Sequence, residues 1–238
     1  MIPKVSIIMP VYNSGKLLKK AIDSVINQTY KNWELIIIND ASTDNSLKIL
    51  QSYEKKYNNI ILINNNKNSG CYVSLNIGIK KSTGEYITRL DSDDYIHKDK
   101  LNFQINYFIN NPQKLWVFTK SSTNSYVFTR CLATTMFKKD VFEKTGYYDS
   151  VRIAGDSEFR NRLYLIYDKS IYGGDINKIL YFISTSLKSL SRASETGMKS
   201  TLRITYKKNF RKWHHENKDN INKLYMPFPL INRPFPIR

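Results

Sequence analysis

The sequence is short of the residues on which much enzyme chemistry rests. Its two cysteines, Cys71 and Cys131, are too few for a disulfide framework and lack metal-site spacing, so they read as free thiols. Its three histidines, His97, His214 and His215, fit neither a catalytic triad nor an HExxH-type zinc set. Neither GxxxxGK[ST] nor GxGxxG occurs, which excludes the two standard glycine cradles for a nucleotide's phosphates. No apolar run is long enough to cross a bilayer, and the amino terminus enters a strand without a secretory leader. A cytoplasmic location is the expectation, with contact to a membrane surface left open. Whatever chemistry the chain performs must rest on carboxylates.

What is present begins with enough material for one sizeable core, 238 residues of which 41% are hydrophobic. The formal net charge of +17 favours anionic partners, whether phosphates, a nucleic acid or an acidic membrane surface. Lysine, asparagine and isoleucine are all abundant, as a low-GC genome would make them, so charge alone does not choose among these partners.

Apolar runs at residues 4–9, 34–38 and 60–63 read as buried strands, and the first is stopped by Pro10. Amphipathic helices are expected between them: one carries Leu17, Leu18, Ala21, Ile22, Val25 and Ile26, the next Leu47, Ile49, Leu50 and Tyr53. A third helix over residues 72–81 leads into a strand at residues 86–90. Strands alternating with helices call for a mainly parallel sheet covered on both faces, with ligands at the carboxyl ends of the strands. Tyr12, Asp40 and the cluster Asp91-Ser92-Asp93-Asp94 all fall at that edge. Three carboxylates within four positions repel one another, and two explanations stand side by side. One is a polar turn whose aspartate caps the following helix. The other is a hard divalent cation, since Mg²⁺ takes one or two carboxylates and leaves its other positions to water and phosphate oxygens.

Further on, residues 99–110 read as a helix ended at Pro112, residues 115–118 and 133–137 as strands, and residues 139–144 as a short helix. Asp156 stands at the first turn of another helix, where capping alone would explain it. From about residue 188 basic and aromatic residues dominate, and prolines at 227, 229, 234 and 236 argue against a terminal helix. Residues 191–238 are therefore expected to form a basic, proline-containing appendage on a domain spanning residues 1–190.

The segments Val5 to Asn13, Ser24 to Tyr30, Glu34 to Asn45 and Gly84 to Asp94, in this order and spacing, resemble the nucleotide-binding half of the family 2 glycosyltransferases. The resemblance is nearly continuous over the first hundred residues and thinner from Phe137 to Arg162. It implies an α/β fold of GT-A type, with residues 1–98 as the nucleotide-binding half and 99–190 as the acceptor half. It implies an inverting transferase using a sugar nucleotide, most often a UDP-sugar, with Mn²⁺ or Mg²⁺ and a glycan, glycolipid or protein-linked acceptor. By matching position, Tyr12 would stack on uracil and Asp40 accept from its ring N–H, while Pro10, Asn13 and Ser92 would line the nucleotide. Asp91 and Asp93 fall on the DxD positions, with Asp93 as direct metal ligand and Asp91 holding the ribose or a metal-bound water. Asp156 falls on the catalytic base.

Three departures stand out. Asn39-Asp40 replaces a pair of acids, Leu75 stands where an arginine is common, and Gly155-Asp156 stands where Glu-Asp is frequent. A hydroxyl and base-bearing segment, Ser189-Leu190-Ser191-Arg192, offers itself to the diphosphate, and the basic aromatic tail to an anionic membrane. A sugar nucleotidyltransferase and a basic nucleic-acid-binding protein remain as alternatives, the latter leaving the carboxylates without a role.

Overall fold

The computed structural model describes residues 2–184, 197 and 200–237. Ser189-Leu190-Ser191-Arg192 lies outside them. In chain order the first half contains β1 (Val5–Val11), α1 (Gly15–Ile26), β2 (Trp33–Asn39), α2 (Ser46–Lys56), β3 (Ile60–Asn64), α3 (Cys71–Lys81) and β4 (Tyr86–Arg89). The second half contains β5 (Tyr95–Ile96), α4 (Lys100–Asn110), β6 (Trp116–Ser122), β7 (Val127–Phe128), β8 (Met136–Lys138) and α5 (Asp140–Thr145). After these come α6 (Gly155–Ile166), α7 (Lys169–Tyr172), β9 (Gly173–Phe182) and α8 (Thr201–Asn217).

Among the described residues the strands form one sheet in the order β3-β2-β1-β4-β8-β6-β9-β5, with β7 added to β6. β1 lies parallel to β2 and β4, and β2 parallel to β3, as the strand–helix alternation requires. The second half departs from the expected parallel sheet. β8 runs antiparallel to both β4 and β6, and β5 antiparallel to β9. Antiparallel neighbours need no crossover helix, so these short strands enter the sheet from loops and a 3₁₀ turn at Leu132–Thr134.

Two apolar clusters fill the two faces. Val5, Ile7 and Met9 of β1 and Leu35 and Ile37 of β2 meet α1 and α4 on one side. Ile8, Ile36 and Ile38 point the other way and join Leu75 and Ile79 of α3, Phe159 and Leu163 of α6, and Tyr206, Phe210 and Trp213 of α8. This alternation is the period-2 pattern of a strand buried on both sides.

The expected appendage is not peripheral in the described residues. Tyr206 and Phe210 are fully buried, and Phe235 stacks against Trp213 with ring centroids 5.1 Å apart. Polar anchors reinforce this apolar packing. Asp149 accepts from Tyr206 Oη at 2.9 Å and from the Arg233 guanidinium. Glu158 of α6 accepts from Arg162 Nε at 2.8 Å and meets His214 Nε2 of α8 at 3.0 Å, all three being buried. Burial would push the Glu158 carboxyl up, but Arg162 and His214 outweigh it and hold it below its ordinary value. The aromatic side chains that a membrane-facing tail would need are thus part of the core.

Candidate active site

The carboxyl ends of β1, β2 and β4 lie side by side, because Val11 is registered with Asn39 and Ile8 with Arg89. Pro10 is the partly buried penultimate residue of β1, and Tyr12 just beyond it is half exposed. Asn13 takes a left-handed backbone, φ 50°, and its side chain is committed to the next loop. Its Oδ1 accepts from Thr43 N at 2.8 Å, and its Nδ2 donates to Thr43 Oγ1 at 3.2 Å. Ser92 pairs its hydroxyl with that of Ser14 at 2.6 Å, joining the loop after β4 to the loop after β1.

Asp40 is buried rather than open. Its Oδ1 accepts from Asn65 Nδ2 at 2.8 Å and Ser69 N at 2.9 Å, and its Oδ2 from Gly70 N at 2.7 Å. A carboxylate has about four acceptor positions, so three of them are already held by the loop after β3. Gly70 sits there with φ 94°, a conformation that favours glycine. Asp40 therefore fixes the start of α3. The second residue of α3, Tyr72, carries that order onward: its hydroxyl donates to Asp156 Oδ1 at 3.0 Å.

Asp156 is the second residue of α6, not its cap, and its Oδ1 also accepts from Ser157 N at 2.8 Å. The helix's N-terminal partial charge favours an anion there. The departure at Gly155 has a steric cause: a Cβ on that residue would come within 2.9 Å of the Tyr72 ring. The partner of Asp156 is thus a tyrosine packed over a glycine, where an acidic neighbour was the family habit. Arg152 adds a second tie between the same two segments, donating from Nη1 to Asn68 Oδ1 at 2.7 Å.

The acidic cluster encloses a buried cation that the sequence reading passed over. Arg89 Nη2 lies 3.6 Å from Asp91 Oδ2, too far for a good hydrogen bond, and Arg89 Nε and Nη1 are buried without partners. Asp91 Oδ1 is likewise buried and unpartnered. Burial works against the Arg89 charge, but Asp91, Tyr148, Cys71 and Tyr72 outweigh it and raise its pKa. Leu75, standing where an arginine is common, lines the same small cavity of about 10 Å³ as Arg89, so a cation is present near that place on β4 instead of α3. Burial, then the neighbouring Asp91, raises the pKa of Asp93. Asp94 is pushed up to about 8 by burial, Asp91 and Asp93, and accepts from Ser184 N at 2.8 Å. Its role is to turn the chain inward, which two-residue alternation from Asp91 and Asp93 had already separated from theirs.

Two groups register how close the carboxylates lie. Cys71 is pushed up to about 12 by burial and then by Asp91, with Asp156 and Asp40 adding to it and Arg89 opposing. Tyr148 is raised by burial and by Asp156 and Asp91, again against Arg89. The loop carboxylates and the α6 carboxylate therefore act on one small region. Among the described residues no group of three or more His, Cys, Asp or Glu side chains is arranged to hold a metal ion. The fit to a divalent ion rests instead on two oxygen-bearing acids whose mutual repulsion and orphaned Oδ1 call for a positive partner.

The fold is that of GT-A glycosyltransferases. The S. aureus TarS 1-349 crystal structure in complex with UDP matches with a TM-score of 0.69 and 23% identity, over 77% of this chain and 61% of that one. A mannosyltransferase from Pyrobaculum calidifontis, solved with GDP-Man and Mn²⁺, matches with a TM-score of 0.71 and 15% identity over 94% and 69%. The family model for glycosyl transferase family 2 matches residues 6–167, and the chain belongs to that family. An uncharacterized glycosyltransferase of Haemophilus influenzae is 46% identical over 109 residues, 46% of this chain and 44% of that protein. The glycosyltransferase GlyA of Streptococcus pneumoniae is 29% identical over 224 residues, 79% of this chain and 32% of its own length. The chain thus spans less than half the length of these curated relatives.

Proposed function

We propose that this chain transfers a sugar, with inversion, from a UDP-sugar to a hydroxyl of a glycan, glycolipid or protein-linked acceptor, with Asp156 as general base. The observation that carries the reading is the division of acids around Arg89. Asp91 and Asp93 crowd each other at the end of β4, while Asp156 stands apart on α6, oriented by Tyr72. The UDP complex of TarS supports the choice of nucleotide, and the Mn²⁺ complex of the mannosyltransferase supports a metal. Of the alternatives that charge and sheet design left open, nucleotidyl transfer and nucleic-acid binding, neither accounts for the family match.

In this reading Tyr12, half exposed at the rim, stacks on the base, and Asp40 offers its remaining acceptor position to the ring N–H. Pro10, Asn13 and Ser92 shape the nucleotide's surroundings, Asn13 chiefly by holding the loop at residues 42–44. Asp93 with Asp91 would hold Mg²⁺ or Mn²⁺, which when bound neutralises charge growing on the departing diphosphate. Asp156 takes the acceptor's proton through its Oδ2 while Oδ1 stays fixed by Tyr72 and Ser157.

Calorimetric titration with UDP, GDP and ADP, with and without Mn²⁺, tests the donor site. The expected result is metal-dependent preference for UDP that Asp93→Ala abolishes. Asp156→Asn should keep UDP binding yet slow release of UDP from UDP-sugars by about a hundredfold or more. Equal UDP binding by Asp93→Ala, or no nucleotide binding at all, would overturn the proposal.

A further inference from the structure

The seam between α6 and α8 begins at Asp156 and is lined with cations. On α8, Arg203, Lys207 and Arg211 follow one another at four-residue intervals, the spacing that sets side chains along one face. Arg160 stands one turn beyond Asp156 on α6. Lys207 feels all of them: burial lowers its pKa first, then Arg203, Arg211 and Arg160, and the acid that opposes them is Asp156. Among the described residues Arg160, Lys207 and Arg211 form no ion pair, although cations elsewhere find one, as Arg130 does with Asp175 and Lys4 with Glu34. Like charges one turn apart repel, so the row is an arrangement that an anion would relieve.

The seam also has depth. It opens into a groove of about 320 Å³ lined by Tyr164, Arg211, His215 and Lys218. Its walls do not depend on exposed side chains for their position, since the buried contacts of Glu158 with His214 and of Asp149 with Tyr206 fix α8 against α6 and the loop before it. From Asp156 to Leu165 the helix rises about 13 Å, longer than one sugar ring. The nucleotide loops after β1, β2 and β4 lie at the sheet edge, whereas the groove extends along the helices from the other side of Asp156.

We propose that this seam is the track for an acceptor chain carrying phosphodiester groups, seated on Arg160, Lys207 and Arg211, with a hydroxyl of its terminal unit facing Asp156. The proposal rests on Asp156 being the base. The hydroxyl oxygen forms the new bond to the anomeric carbon, its proton goes to Asp156, and the nucleoside diphosphate leaves with the electrons of the broken bond. Arginine suits the task because its planar fork matches phosphate oxygens two at a time.

The test is fluorescence anisotropy of a labelled glycerol-phosphate hexamer on the full chain, with a labelled neutral dextran hexamer as control and UDP affinity measured in parallel. The triple variant Arg160→Gln, Lys207→Gln, Arg211→Gln should bind the phosphate hexamer about tenfold or more weakly. It should also show a log-affinity against log-salt slope shallower by about 2. Its UDP affinity and thermal midpoint should stay at the wild-type values, and Lys207→Arg should retain hexamer binding. Unchanged hexamer binding by the triple variant, or dextran binding as tight as the phosphate hexamer, would overturn the track. So would a parallel loss of UDP affinity, which would give the cations to the donor. Absence of hexamer binding, with variant-sensitive binding to phosphatidylglycerol vesicles instead, would give them to a membrane surface and also overturn it. Hexamer binding by a wild-type chain that ignores UDP would sink the donor reading while upholding the track.

Discussion

Lys100 offers the sharpest test of the physical reasoning. It is fully buried beneath β4, where its Nζ donates to Thr88 Oγ1 at 3.1 Å and Gln104 Oε1 at 2.9 Å, with no carboxylate paired to it. Burial lowers its pKa from 10.5 to about 7. A depressed folded-state pKa means that the stabilising contribution is complete above the unfolded value of 10.5 and is lost as pH falls toward about 7. Between pH 7 and pH 9 this linkage amounts to about 2 kcal/mol. Asp94 acts with the opposite sign, because its pKa is raised to about 8 and its contribution is lost as pH rises through that value. The clean measurement is therefore a difference. Urea unfolding of the wild type and of Lys100→Met, followed by tryptophan fluorescence at pH 7, 8 and 9, cancels Asp94 and leaves Lys100. The wild type should gain about 2 kcal/mol on the variant over that interval. Parallel pH profiles would refute the argument, and would mean that water or a rearranged Gln104 solvates the ammonium ion. The outcome bears on the site because Thr88 precedes Asp91 by one strand period, so a charged or neutral Lys100 sits directly under the acid-bearing turn.

Tyr72→Phe removes the hydroxyl that holds Asp156 and leaves the ring that packs on Gly155 and Tyr148. Release of UDP from a UDP-sugar should slow by about tenfold with UDP affinity unchanged, since one hydrogen bond to a charged group contributes roughly 1.5–3 kcal/mol; an equal fall in UDP affinity would show that Tyr72 serves the donor instead. Phe235→Ala should cost about 3–4 kcal/mol in urea unfolding, as expected for an aromatic ring buried against Trp213 and Tyr206. A cost under about 0.5 kcal/mol, the range of ordinary surface changes, would restore the view of the C-terminal segment as an appendage.

The first half of the fold was legible because each element there carries its own period. The alternation of Ile7 and Ile8 between faces and the stripe of Leu18, Ala21, Ile22 and Val25 are local signals that need no partner to be read. Beyond Asp94 the strands are short, and β8 with three residues and β5 with two are too brief to show any period. α8 carried a readable signal in Tyr206, Phe210 and Trp213 at helical spacing, but the surrounding lysines, arginines and prolines drew attention to the composition of the segment. The positions of Asp91, Asp93 and Asp156 could be named from the chain, whereas their partners could not. Arg89, Tyr72 and the donors on Asp40 depend on which loops meet, and that is decided by strand register across long separations in sequence. Arg89 alone left a trace, being two residues before Asp91 and so on the same side of an extended strand.

Asp149 deserves a closing consequence for anyone who builds hybrids of these proteins. Its buried carboxylate joins Tyr206 of α8 and Arg233 near the described carboxyl end to the loop that carries Gly155 and Asp156 into place. A junction at residue 191, the natural place to graft a foreign C-terminal segment, would orphan Asp149 and Glu158 together and loosen the loop beneath Asp156. Hybrids should instead be cut ahead of Asp149, so that the carboxylates travel with the tyrosine, arginine and histidine that meet them. Acceptor preference in such a molecule is then inherited as a block, from Asp149 to residue 237, and not as an interchangeable tail.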